Sequence, residues 1–308
     1  IRDIRAQVQD RRPDIELLAE ANAPLDAIGR YFGEGDECQL VLNFPLMNAM
    51  FVSAARESAS PLARVLADAP APPPGCRWAT FLRNHDELST EKMSPEDKAL
   101  VLERFAPRGL HRRFGGVRRR LAPLCRHRRL WRFLTGLWLL LPGVPVLWYG
   151  EEIAMDDAPD LPDRMGLRTA MTWDEGPSAG FSTAPCDIWA LPARPGRSGS
   201  VARQEGQPRS PLGFVRQMLA LRRNHPVLEQ SCRVLVAEES LLVLASGNED
   251  DPGSLRIVAN TSRMPKEISL PWPYAPPDRL LGGRELRVRR GVLSGRLKAW
   301  DLALLRLR

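Results

Sequence analysis

Three short apolar runs in this 308-residue chain each end on acidic or amide side chains, and these are the residues with chemistry to offer. Ile15 to Ala19 runs into Glu20, with Asn22 two residues on. Trp78 to Arg83 runs into Asn84, His85, Asp86 and Glu87, and Val146 to Gly150 runs into Glu151 and Glu152. A carboxylate at the end of a buried strand must be paired, hydrated in a cleft or protonated, because burying its isolated charge is costly. For Glu20 two readings stand open: a site residue, or a helix cap and ion-pair partner. Asn84 to Glu87 is more pointed, since four hydrogen-bonding side chains in a row after an apolar strand have no packing purpose. Two carboxylates on nearby strands, with a His and an Asn to donate hydrogen bonds, suit glycosidic-bond chemistry better than acyl or phosphoryl transfer. The competing signatures are missing: the chain has no Gly-rich phosphate loop after a strand, no G-x-S-x-G elbow and no HExxH. His111, His127 and His225 stand alone and read as surface or helix-end residues.

Such side chains need strands that end where they begin. Asp14 to Glu20, Gln39 to Phe44, Trp78 to Asn84 and Val144 to Tyr149 all read as buried parallel strands, and in parallel α/β folds ligands gather at strand C-termini. Between them lie helical patterns. Leu130, Phe133, Leu134, Leu137, Trp138 and Leu141 repeat at i, i+3, i+4, i+7, i+8 and i+11. Another helix follows Ser210-Pro211, an N-cap and N1 pair, with Phe214, Val215, Met218, Leu219 and Leu221 as its stripe and His225-Pro226 as its stop. Strand alternating with helix implies an α/β domain over residues 1–229. From about residue 230 to 308 the pattern becomes short alternating segments, Leu241 to Ala245, Arg256 to Ala259, Leu286 to Arg289 and Leu302 to Leu307, which predict a small antiparallel β domain. Pro185 to Gly213, rich in Pro, Gly, Arg and Ser, reads as a long surface loop.

Composition narrows the class. A hydrophobic content of 44% over 308 residues supports one full core and a smaller second domain, and excludes disorder. The longest apolar run, Leu137 to Leu141, stops at Pro142-Gly143, far short of the roughly 20 residues of a membrane span. Five widely spaced cysteines without a CxxC suggest neither a disulfide framework nor a zinc site, so a reducing, cytoplasmic setting is expected. The net charge of +7 raises a nucleic-acid partner, but only four of the 44 basic residues are lysines and the arginines are spread along the chain. The one dense cluster, His111 to Arg132, is read first as a solvated face, with an anionic partner or a role over a sugar site as alternatives. The chain opens on Ile1, and its first helical stretch (Ile4, Val8) is too charged for a signal sequence, so it is read as starting partway through a longer protein.

Taken in order, Leu17-Leu18-Ala19-Glu20-Ala21-Asn22, Tyr31-Phe32-Gly33 and Phe81-Leu82-Arg83-Asn84-His85-Asp86-Glu87 resemble the second half of an α-amylase-superfamily (glycoside hydrolase family 13) barrel. Arg118 to Leu124, Pro142 to Glu152, Arg168-Thr169 through Trp173, and Ala179 to Ser182 resemble its trehalose synthase branch in particular, although Ala170-Met171-Thr172 stands where that branch has Pro-Met-Gln. The resemblance implies strands 5 to 8 of a TIM (β/α)8 barrel followed by an antiparallel β-sandwich. It implies Glu20 as general acid/base, Asp86 as the carboxylate that binds sugar hydroxyls and stabilises the transition state, and His85 and Asn84 as substrate-binding residues. The family's nucleophile, an Asp after the fourth strand, has no counterpart here. The expected substrates are small α-glucosides, maltose, trehalose and maltooligosaccharides, with no cofactor, metal, nucleic acid or membrane; a hydrolase of α-1,4-glucans and a non-catalytic sugar-binding relative are the alternatives. Loops near Glu87 to Arg120 are candidates for excluding water.

Overall fold

The computed structural model describes residues 1–308 except 110, 114, 185–195, 249 and 250. In chain order the strands begin with β1 (Leu18–Ala19), β2 (Leu40–Leu42) and β3 (Arg77–Thr80), pass through a hairpin of β4 (Arg112–Arg113) and β5 (Gly116–Val117), and reach β6 (Val144–Pro145). Then follow β7 (Arg233–Glu238), β8 (Leu241–Ser246), β9 (Leu255–Asn260), β10 (Lys266–Pro271), β11 (Asp278–Leu281), β12 (Arg287–Arg289), β13 (Val292–Leu297) and β14 (Asp301–Arg306). The chain folds into two compact units, one of Ile1–Phe81, Leu140–Val146 and Pro226–Arg308, the other of Leu82–Leu139 and Leu147–His225.

In the first unit β1, β2, β3 and β6 form one sheet in that order, every pairing parallel. All four expected strands are present but shorter than their apolar runs. Local chemistry sets the stops. The sheet stops at Asn43, whose amide still donates to the Ala79 carbonyl on β3 at 2.8 Å while its side chain accepts from the Leu46 amide at 2.9 Å, capping the helix Phe44–Arg56. Burial is also less complete than expected: Val41 is fully buried, but Ile15, Leu18, Val146 and Leu147 are 36–46% exposed. Leu18 lies on β1 and Val146 and Leu147 just past β6, the two strands that end the order and so have one neighbour each. Gly143 makes the entry to β6 feasible, since at φ +100 a Cβ there would sit 2.6 Å from the Trp78 carbonyl.

Beyond residue 230 the expected strands appear, all antiparallel, as β10-β13-β12 and β11-β14-β9-β8-β7. Leu241, Val243 and Val258 from the larger sheet share one core with Ile268, Leu293 and Leu297 from the smaller. The alternation expected of β8 and β9 is absent, because both are buried along their whole length. They lie in the middle of their sheet, and the helix Ser60–Asp68 packs against the neighbouring β7.

The second unit contains most of the long helix Arg128–Leu140 and all of Pro211–Asn224. Leu130, Phe133, Leu134, Leu137 and Trp138 are all no more than 3% exposed, as their spacing predicts. In the later helix Ser210 caps through Gly213 N at 3.0 Å and His225 ends it, but Leu219 is 40% exposed. Its place on the buried stripe goes to Arg222, 4% exposed, which donates to the Leu139 carbonyl at 3.0 Å. The expected loop from Pro185 lies outside the described residues up to 195; from 196 it is broken by a short helix, Val201–Gln204. Among the described residues no helix is long and apolar enough to cross a membrane. Cys38, Cys76, Cys125 and Cys232 are free, while Cys186 falls outside the described residues.

Candidate functional site

The segment after β3 turns from apolar to polar within a few residues. Leu82 and Arg83 are each 2% exposed, Asn84 to Glu87 are half-buried, and Leu88 is fully buried again. The far end is fastened by Leu88 and Val117, which exchange backbone hydrogen bonds at 2.9 and 3.0 Å. Inside, Arg83 works as a strut: Nε donates to the Arg119 carbonyl at 2.8 Å and Nη2 to the Asp86 carbonyl at 2.6 Å. Burial pulls the Arg83 guanidinium down to about 10, against the field of Glu151, Glu87, Asp157 and Asp86. The Asp86 amide donates to Asn84 Oδ1 at 3.0 Å, closing a turn that turns the two carboxylates out together.

Arg164 sits on that pair, its Nε bonded to Asp86 Oδ1 and, at 2.9 Å, to Glu87 Oε2. Burial and the neighbouring Glu87 raise the Asp86 carboxyl above its ordinary value. Burial works the same way on Glu87, but hydrogen bonds from Arg164 and Asp86 outweigh it and hold Glu87 low. Four residues on, Arg168 Nε donates to the His85 carbonyl at 3.1 Å. The His85 ring lies 6.0 Å from that of Trp148, whose indole donates to the Leu167 carbonyl at 3.2 Å. Residues 164–168 thus hold the loop from both sides. Gly166 keeps them there, because a Cβ at that position would lie 2.3 Å from the Ala158 carbonyl.

Beneath this layer the arginine cluster has an unexpected use. Arg118 donates to the Asp163 carbonyl, Arg119 grips Asp157 with two hydrogen bonds at 2.9 and 3.0 Å, and Arg120, fully buried, donates to the Tyr149 carbonyl at 2.7 Å. Here the reading as a solvated face is corrected: these three arginines tie down residues 149–163. Further along the cluster, Arg126, Arg128 and Arg129 are exposed. Glu151, a strand-end candidate, is 5% exposed, accepts from Leu121 N at 3.1 Å and lies 3.7 Å from Arg120. Burial pushes its carboxyl up to about 7. His127 accepts from Leu130 N at the start of a helix and His225 caps the end of another, the roles expected of lone histidines.

Glu20 directly follows β1 in the first unit, exposed above a core of Ala19, Ile28, Phe32, Val41 and Trp78. Asn84, His85 and Asp86 are brought together on one loop of the second. Of the two arginines that order that loop, Arg83 stands inside the Phe81 to Glu87 motif, while Arg164 carried no signal in the sequence beyond being charged. Among the described residues no three His, Cys, Asp or Glu side chains are grouped to hold a metal.

Comparison with known proteins gives the class and the family. Residues 1–231 match the Alpha-amylase family, described as the alpha amylase catalytic domain. The chain belongs to that family. It is 38% identical over 281 residues to the trehalose synthase of Thermus thermophilus, covering 88% of this chain and 29% of that one. It is 37% identical over 298 residues to the trehalose synthase/amylase TreS of Mycobacterium tuberculosis, covering 92% and 50%. The chain thus spans half or less of the length of these relatives. Among solved structures, the alpha-amylase from H.orenii matches with a TM-score of 0.70 and 17% identity, over 100% of this chain and 56% of that one. The isomaltulose synthase from Klebsiella sp. LX3 matches at 0.69 and 17%, over 100% and 58%, a likeness of fold.

Proposed function

We propose that this chain is part of a retaining α-glucoside-processing enzyme of the trehalose synthase type, acting on maltose and trehalose. The observation that carries the reading is the half-buried Asn84-His85-Asp86-Glu87 loop, with its carboxylates clamped by Arg164, in a chain more than a third identical to trehalose synthases. Glu20 is the general acid/base, Asp86 binds sugar hydroxyls and stabilises the oxocarbenium-like transition state, and His85 and Asn84 bind the same sugar. Residues 1–229 contribute strands 5 to 8 of a (β/α)8 barrel and 230–308 a β-sandwich without catalytic residues. The free thiols fit a cytoplasmic setting.

The chemistry is a double displacement. Glu20 gives its proton to the glycosidic oxygen as the C1–O bond breaks and C1 bonds to a nucleophilic carboxylate supplied from outside these 308 residues. Glu20, now ionised, takes the proton of the acceptor hydroxyl as that oxygen displaces the carboxylate. If the acceptor is the released glucose, maltose becomes trehalose; if it is water, the reaction is hydrolysis. Hydrolysis is the second reading, favoured by the amylase in the name of the mycobacterial relatives. Incubating the complete protein with maltose and following products by NMR decides between them. Trehalose exceeding free glucose supports the synthase, and glucose alone refutes it.

A further inference from the structure

We propose that a second cleft, formed by residues far in sequence from Asn84 to Glu87, binds a small organic phosphate monoester. The cleft lies wholly within the second unit and measures about 680 Å³. Its cationic groups are Arg119, Arg126, Arg128 and Arg197, and its one carboxylate is Asp156. Arg119 is already neutralised by the two hydrogen bonds to Asp157. The Arg126 and Arg197 side chains are exposed and have no hydrogen-bond or ion-pair partner among the described residues, and the Arg128 side chain makes one bond, to the Arg209 carbonyl. Three uncompensated guanidiniums against one carboxylate leave two positive charges, the complement of a dianionic phosphate monoester.

Arg126 holds φ 62 and ψ −22 at the end of the helix Leu121–Cys125, a left-handed position where glycine is favoured, so glycine can replace it without backbone cost. Trp131 lines the same cleft at 2% exposure, and its indole N–H has no acceptor among the described residues. The cleft far exceeds the size of an inorganic phosphate, and Ala122, Pro123 and Pro211 give it an apolar wall for the organic body.

Calorimetric titration of the 308-residue chain with glucose 6-phosphate, inorganic phosphate and glucose tests this. Glucose 6-phosphate should bind more tightly than inorganic phosphate and lose affinity as salt is raised, while glucose gives no heat. The double variant R126G/R197A should bind glucose 6-phosphate roughly tenfold or more weakly. Its fold is not at risk, because glycine relieves the left-handed strain at 126 and Arg197 is exposed, and unfolding melts confirm that. Equal heats for glucose and glucose 6-phosphate, equal affinity for inorganic phosphate, or unchanged binding by the double variant would each overturn the proposal.

Discussion

At the scale of single residues, the clamped carboxylates and the buried one beneath them respond to pH in ways that can be measured. Glu151 has a folded-state value near 7 against 4.5 in its unfolded reference, so between those values the folded state holds a proton that the unfolded state has released. Its contribution is therefore present below about pH 4.5 and is lost as pH rises through 7, by on the order of 3 kcal/mol. Glu151→Gln, which keeps an acceptor for Leu121 N, should leave acid stability unchanged and raise stability at pH 8. Urea midpoints across pH 5 to 8 that fall equally in variant and wild type would contradict this. Arg164 holds the Asp86 and Glu87 charges, so Arg164→Gln should move the acid limb of the kcat/KM profile to higher pH; an unmoved limb would deny it that role. The sequence already exposed Asn84 to Glu87, because consecutive polar side chains after an apolar run have no packing purpose. It hid Arg164, one of forty arginines, because its partners lie 77 and 78 residues away, and a contact that distant leaves no periodicity.

At the scale of elements, sequence defines the helices more sharply than the strands. Leu130 to Trp138 declare a buried face through 3.6-residue spacing, whereas a short parallel strand is only an apolar run, and its end is set by events outside it such as the Asn43 cap. The Leu219 expectation failed because hydrophobicity alone cannot foresee an arginine that buries its stem and satisfies its head on a carbonyl, as Arg222 does. The segment 164–168 depends on one close approach of backbones at Gly166. Gly166→Ala must displace Arg164 and Arg168 from the loop, costing about 1–3 kcal/mol of stability and more than tenfold in turnover. Gly206→Ala is the control, as nothing lies within 4 Å of its added Cβ and only the strain at φ +69 remains. Equal turnover in the two variants would show that the position of 164–168 is immaterial.

At the scale of the molecule, part of the arginine excess is spent internally: Arg118, Arg119 and Arg120 take carbonyls and a carboxylate of the same unit. The antiparallel pattern past residue 230 was legible because turn residues punctuate it, while the two-unit organisation was not, since the second unit is assembled from segments on either side of β6. In the proposed function Glu20 and Asp86 are two parts of a retaining machine whose nucleophile is supplied from outside these 308 residues. The most direct test of that proposal is the rate of maltose turnover by the 308-residue chain beside a version extended upstream through an Arg-x-Asp strand, each with and without Glu20→Gln. The account predicts no turnover by the 308 residues, full turnover by the extended version, and a loss of about 100-fold or more on Glu20→Gln. Comparable turnover by the 308-residue chain, abolished by Glu20→Gln, would place the nucleophile within it and contradict the account.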